Sequence, residues 1–454
     1  MSSRFSYPLK LSRRLRYRRV TFGVRCFSAR SSTDGSASEL PLAGVRVLEL
    51  GQLIAGPFAG QLLGHYGAEV IKVEPPSVGD PLRVWRELDV DGVSPWFRSL
   101  GRNKKSITID LRKDEGKKLV KKLAIISDVI LENFKPGTLE KWGLGPKDLH
   151  AYNPDLIFTR VSGYGQTGPW SSRGGYASVC EAESGFRYIN GHPDPDTGAL
   201  VGAPVRPNIS LGDSVAGLHA AFGTVLALMA KINRKRHGKP GGQTVDVSIM
   251  ESMMNLMEGI IPEYSRKGQI RGPSGSSVTG IVPTNAYPTS EPSSFVVIGG
   301  NGDSIYARLM TAIGREDLVG PEFANNHHRV ARRCKIENAI SEWTRQRTPE
   351  EVCKVMERSC VPFGRIMNVK DLMENEHVRA RGMVERVHVP RIGDDDAGWD
   401  VEVPRVVPVL EGDYSTRWAG PDLGQHNEEV FLKDMGISAE ELASLRAEGV
   451  VSGK

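Results

Sequence analysis

Between residues 41 and 169, short runs of apolar residues alternate with stretches whose apolar positions recur every three or four. Val45-Arg-Val-Leu-Glu-Leu50 reads as a buried strand, and Gly51-Gln-Leu-Ile-Ala-Gly-Pro57 as a tight turn. Phe58 to Tyr66 reads as a helix and Glu69-Val-Ile-Lys-Val-Glu74 as a second strand. Such a strand, helix and strand within about thirty residues predict a right-handed βαβ unit and a parallel sheet. The alternation continues with strand Ser106–Leu111, helix Asp114–Ile126, and strands Asp128–Glu132 and Asp155–Val161. Three connections leaving the carboxyl ends of these strands are polar or glycine-rich: Gly51–Gly56, Asn133–Gly137 and Ser162–Pro169. Ligands of α/β sheets bind at such connections. The glycine spacing is neither G-x-G-x-x-G nor the P-loop pattern, so a simple dinucleotide or NTP site is not supported.

Further on, Val215, Leu218, Phe222, Val225, Met229 and Ile232 fall at helical spacing and predict a long amphipathic helix. Its other face carries the small residues Gly217, Ala220, Ala221 and Thr224, and Asn233-Arg-Lys-Arg-His-Gly238 closes it. Asp213 stands at its start, where free N–H groups and the positive helix end are expected to keep a carboxylate ionised. Taken alone, an aspartate there is ordinarily a cap. Gln243–Ser248 alternates as a strand, and Ser248-Ile-Met-Glu251 fits a capping box opening a Met-rich helix. Residues 266–280 read as a linker or lid, and 281–395 as a smaller α+β domain. Residues 396–454 are expected to return to the larger domain, which begins with 41–265.

The chain's 454 residues suffice for two cores, and 39% apolar with 25% charged residues is the balance of a soluble globular protein. No apolar run reaches the roughly 20 residues of a membrane helix, so no span is expected. Five cysteines without metal-ligand spacing read as free thiols. The net charge of +5 conceals a division: residues 1–32 hold eight Arg, one Lys and no acid. That arm has the composition of a mitochondrial transit peptide, followed by a polar linker at 33–40, and predicts a matrix protein. Without its nine charges the chain carries −4, which argues for targeting rather than nucleic-acid binding.

Pro41-Leu-Ala-Gly-Val-Arg-Val-Leu-Glu-Leu50 followed by Ala55-Gly-Pro57 resembles the opening of class III, or formyl-CoA-type, CoA-transferases. Gly67–Glu74, Gly79-Asp80, Asn103–Ile107, Asp128–Phe134 with Pro136-Gly137, Gly163–Pro169, Gly212-Asp213 and Gly424-Gln-His426 match in the same order. The resemblance implies an α/β fold with a Rossmann-like large domain, a smaller α+β domain and an interlocked homodimer. No permanently bound cofactor is implied, since coenzyme A thioester is a substrate. Asp213 matches the catalytic aspartate, whose carboxylate would attack the thioester to give an acyl-aspartyl anhydride and then an aspartyl-CoA thioester. CoA contacts carry over to Ile54, Ala55, Arg112, Asn133, Phe134, Lys135 and Lys141. Pro75 stands where formyl-CoA transferase has a phosphate-facing Arg, with Arg83, Arg102 or Lys104 as candidate replacements.

Gly280-Ile-Val-Pro283 and Phe295–Gly300 look most like the mitochondrial succinyl-CoA:dicarboxylate (glutarate or hydroxymethylglutarate) branch. A dicarboxylate acceptor needs a cation for its second carboxylate, and Arg173, Arg187 and Arg206 are candidates. The related α-methylacyl-CoA racemases need a His where this chain has Tyr176, a poor base near neutral pH. A racemase and a catalytically silent CoA-binding protein are therefore the alternative readings.

Overall fold

The structure, a computed structural model, describes residues 40–453 apart from 195, 392, 393 and 413. The expected transit peptide 1–32, and all but the last residue of the 33–40 linker, lie outside the described residues. The first half of the chain forms β1 (Arg46–Glu49), α1 (Ala55–His65), β2 (Glu69–Glu74), α2 (Pro95–Leu100), β3 (Lys104–Thr108) and α3 (Asp114–Ile125). It continues with β4 (Val129–Glu132), α4 (Thr138–Lys141), α5 (Pro146–His150), β5 (Ile157–Ser162) and α6 (Ala177–Glu183). A two-residue ribbon, β6 (His192–Pro193) and β7 (Leu200–Val201), precedes α7 (Leu211–Arg236), β8 (Gln243–Ser248), α8 (Ile249–Asn255) and α9 (Ile260–Lys267). Six strands form one parallel sheet in the order β3-β2-β1-β4-β5-β8. The order reverses between β1 and β4, so the crevice for a ligand opens at the carboxyl ends of those two strands.

Nearly continuous apolar runs are legible as strands because helices cover both faces of a parallel sheet. On one face Leu48, Ile71, Ile107, Ile130 and Phe158 pack with Leu119 and Leu123 of α3 and with Val430, Phe431, Leu442 and Leu445. On the other, Val47, Val70, Leu131 and Val161 pack with Ala59 and Leu63 of α1 and Ala216, Ala220 and Leu228 of α7. The strand expected from Ser106 starts two residues earlier, because Lys104 is buried in the sheet with a carboxylate partner.

A separate core joins β9 (Thr284–Pro288), β10 (Phe295–Gly299), α10 (Asp303–Ala312), α11 (Asn326–Ala331), α12 (Arg333–Thr344), α13 (Pro349–Arg358) and β11 (Phe363–Arg365). Then come α14 (Val369–Glu374), α15 (Glu376–Ala380), the hairpin β12 (Val384–Arg391) and β13 (Asp394–Pro404), and α16 (Ala439–Ala447).

The long helix α7 meets the sheet with the opposite face from its bulky one. Ala216, Gly217, Ala220, Ala221 and Thr224 are buried, whereas Leu218, Phe222 and Met229 are 53%, 61% and 55% exposed. Close approach explains the choice: a methyl group on Gly217 would stand 2.6 Å from the Ala55 carbonyl oxygen of α1. By length and composition alone α7 would also suit a membrane crossing. Its packing against α1, β5 and β8 instead makes it the cover of the sheet.

Candidate active site

The turn after β1 is held from both neighbouring strands. Asn133, just past β4, accepts from the Gln52 N–H at 2.8 Å and donates to the Gln52 carbonyl at 2.8 Å. Asp80, beyond β2, accepts the Leu53 N–H at 3.0 Å. Leu53 has φ 63°, the left-handed region that a leucine enters only at a cost of about 1–3 kcal/mol. The Gly79-Asp80 motif thus has a physical role in holding the strained turn on which α1 opens. Ile54 and Ala55 are buried, so only their backbone could reach a ligand; the first N–H groups of α1 have no intrahelical partners. Replacing Asn133 by Ala removes two hydrogen bonds, together about 1–2 kcal/mol. Initial-rate kinetics are expected to show KM for the acyl-CoA raised about ten-fold, with kcat less affected.

Beneath the turn lies a buried ion network. Glu49 of β1 is bonded by Lys72 at 3.1 Å and Lys104 at 2.8 Å, while Lys72 also reaches Asp80 at 2.7 Å. Glu74 pairs with Arg83 at 2.7 Å and accepts from Ser106 at 2.6 Å. Burial works against the Lys72 ammonium, yet Asp80 and Glu49 outweigh it and hold it above the ordinary lysine range. Burial dominates at Lys104 and lowers it to about 8 despite Glu49. Arg83 and Lys104 are therefore spent inside the fold, and Arg102 is buried with a bond to the Pro404 carbonyl. None of the three is available in place of the phosphate-facing Arg that Pro75 lacks.

The crossover β5-α7-β8 puts the N-terminus of α7 at the carboxyl edge of the sheet, beside the same crevice. Asp213 and Gly217 share a helical face, so the contact of Gly217 with Ala55 sets Asp213 one turn further along, at the end of α7 where α1 opens. Two expectations about Asp213 fail. The N-cap is Ser210, and Asp213 is the third residue of the helix. A serine three residues ahead of an acid is itself a start signal that could have located this cap. Nor does the helix end hold the carboxylate ionised: burial first, and then the charge of Glu181, raise it to about 6 against the pull of Arg206. The helix-end N–H of Gly212 is taken by Glu181, at 3.1 Å. Glu181, on α6, is fully buried and paired with Arg187 at 3.1 Å. Seven residues with an irregular apolar pattern hid α6 from sequence reading, and with it Glu181.

The other carried-over cations are exposed. Arg112 grips Asp110 at 2.9 Å, while Lys135 and Lys141 stand free of carboxylate partners among the described residues, near and within α4. Phe134 packs edge-on against Trp142 at 5.4 Å. Among the acceptor candidates, Arg187 is tied to Glu181, and Arg173 is paired with Glu183 and stacked over Trp170. Among the described residues Arg206 donates to the Pro207 and Ile209 carbonyls and has no carboxylate partner, and its charge acts on Asp213. Tyr176, at the racemase His position, precedes α6 with its ring 74% exposed.

A crevice at a strand reversal thus has a strained turn and a half-shielded carboxylate at its edge, and no cluster of His, Cys, Asp and Glu among the described residues could hold a metal ion. The model of CoA-transferase family III matches residues 42–427, and the chain belongs to that family of enzymes. It is 45% identical over 413 residues to succinyl-CoA–D-citramalate CoA-transferase of Chloroflexus aurantiacus, covering 90% of this chain and 98% of that one. It is 32% identical over 448 residues to succinyl-CoA:glutarate CoA-transferase of Mus musculus, covering 97% and 98%. A CAIB/BAIF family protein from Brucella suis superposes with a TM-score of 0.71 at 30% identity, covering 90% of this chain and 99% of that one.

Proposed function

We propose that this CoA-transferase moves CoA from succinyl-CoA to a dicarboxylic acid, with Asp213 as the nucleophile. The observation that carries the reading is Asp213 itself: its carboxylate makes no hydrogen bond among the described residues, is half-shielded from water, and lies one helical turn from the contact of Gly217 with Ala55. An ionised but poorly solvated carboxylate is the state that attacks a thioester. Attack breaks the carbon–sulfur bond, leaving CoA thiolate and an acyl-aspartyl anhydride. Thiolate return gives an aspartyl-CoA thioester and the free acid, and the acceptor carboxylate then repeats the exchange in reverse. Asn133 and Asp80 hold the turn that receives CoA, with Ile54, Ala55, Phe134, Lys135, Lys141 and Arg112 around it.

The activities for which the relatives are named support succinyl-CoA as donor and a C5 diacid, such as a hydroxylated one or glutarate, as acceptor. Arg206 is the cation we assign to the far carboxylate, being the one candidate not ion-paired. Arg206→Gln is expected to lower the preference for diacids over monoacids about ten-fold, read from kcat/KM for acceptors of equal length. A screen of CoA donors against carboxylic acids, read by mass spectrometry on protein lacking residues 1–32, tests the whole assignment. Transfer confined to monocarboxylates would overturn it. The arm 1–32 supports the mitochondrial matrix as the site of action. The exposed bulky stripe of α7, and α9 with none of its residues buried, support a homodimer in which a second copy covers them. A monomer in sedimentation analysis would rule that out.

A further inference from the structure

We infer that Glu181 is a positioning residue for the transfer reaction: a buried carboxylate, ion-paired with Arg187, that occupies the Gly212 N–H at the head of α7 beside the nucleophile. The inference rests on the reading of Asp213 as that nucleophile.

A carboxylate in the first turn of a helix ordinarily gains hydrogen bonds and the favourable helix-end field, both of which make it a weaker base. In this helix those gains go elsewhere. Glu181 Oε1 accepts the Gly212 N–H at 3.1 Å, and its Oε2 lies 3.1 Å from Arg187. The Glu181 side chain is fully buried, and a methyl group on Gly212 would sit 3.4 Å from its Cγ, so α6 is pressed against the first turn of α7. Asp213, the next residue, is left without a hydrogen bond among the described residues and with a fixed negative charge behind it. Arg187 pairs with Glu181 on the side of α6, so the buried carboxylate has a cationic partner.

The surroundings of Asp213 are otherwise poor in charge. Arg206, in the loop before α7, opposes Glu181, and the Cys180 thiol of α6 is itself raised to about 11 by burial. From α8 the single charge is the exposed Glu251, and α1 brings none before His65 at its far end. On the strands beneath α7, Arg160 is committed to Glu132 and Glu140, and Asp246 accepts the Gln166 N–H. Glu181 is thus the charge built into the fold at this point. Its consequence is a nucleophile kept basic enough to attack, with the neighbouring Gly212 N–H engaged by Glu181 and not by Asp213.

Glu181→Gln keeps an acceptor for the Gly212 N–H and removes the charge. The acid limb of kcat/KM is expected to move down by about one pH unit, and kcat above the limb to fall several-fold as the carboxylate becomes less basic. Glu181→Asp retains the charge and is expected to hold the limb near its original position. A folded Glu181→Gln protein with an unmoved limb would overturn the inference, as would a Glu181→Asp limb displaced as far as that of Glu181→Gln. Carbon-13 titration of the Asp213 carboxyl, assigned by difference from Asp213→Asn, reads the same shift without turnover. Retained turnover in Asp213→Asn would instead remove the reading beneath the inference, whatever the titration shows.

Discussion

Asp213→Asn is expected to fold, to lose CoA transfer by on the order of 10⁴-fold or more, and to become more stable at neutral pH. Loss of turnover follows because an amide cannot form the anhydride, and the neighbouring carboxylate of Glu181 is buried and paired. The gain in stability follows from linkage. The Asp213 carboxyl titrates at about 6 in the fold, above its ordinary 3.8. A raised carboxyl leaves the folded state carrying more protons than the unfolded one between those values, so stability falls as pH rises through that window. Above pH 6 the full penalty, about 1–3 kcal/mol, is present, and the uncharged amide removes it. Wild type and variant should therefore converge in denaturant midpoint near pH 4 and separate near pH 8. A hydroxylamine-sensitive acyl adduct should form on the wild type from acyl-CoA alone and be missing from Asp213→Asn. Turnover persisting in the variant would sink the mechanism.

Glu49→Gln is expected to be the most destabilising single change near the site, by about 3–5 kcal/mol. Glu49 is fully buried and is the partner of both Lys72 and Lys104. Lys72 would keep Asp80 at 2.7 Å, but Lys104 would keep only the Pro57 carbonyl and face an amide N–H₂. Its ammonium, already lowered to about 8 by burial, would shed its proton more readily still. A lysine depressed in the fold binds fewer protons there than in the unfolded chain, so stability rises with pH between its folded value and about 10.5. The deficit of Glu49→Gln, measured by urea unfolding, should accordingly shrink from pH 7 to pH 9. A deficit that grows over that range would show that the network is held by something other than the Lys104 charge.

How much of this was legible in the sequence depended on distance along the chain. The sheet was readable because each buried parallel strand is a local apolar run; β2 and β8 were bounded to the residue. The long helix was readable too, but not its inner face. Periodicity singles out bulky residues such as Leu218 and Phe222, whereas contact with a strand layer selects Gly217 and Ala220, which contribute little to any apolar pattern. Asp213 was found through the order of motifs around it, not through its helix. The Glu181 contact to Gly212 spans 31 residues and that of Asp80 to Leu53 spans 27, and no periodicity reports such pairs. Arg83 and Lys104 read as candidate phosphate-binding cations because sequence shows a charge but not the carboxylate folded against it.

The tight seat of α7 on α1 has a consequence for how such an enzyme can diversify. A methyl group at Gly217 would meet backbone at 2.6 Å, and one at Gly60 would fall 1.9 Å from a Glu49 oxygen. Neither position can drift without dismantling the platform that carries the nucleophile. The stretch from Arg173 to Ile209, by contrast, holds most of its residues at or near the surface. Outside the buried Glu181 of α6, which presses on the head of α7, that stretch is therefore where such a chain is freest to vary while the seat of α7 is inherited unchanged.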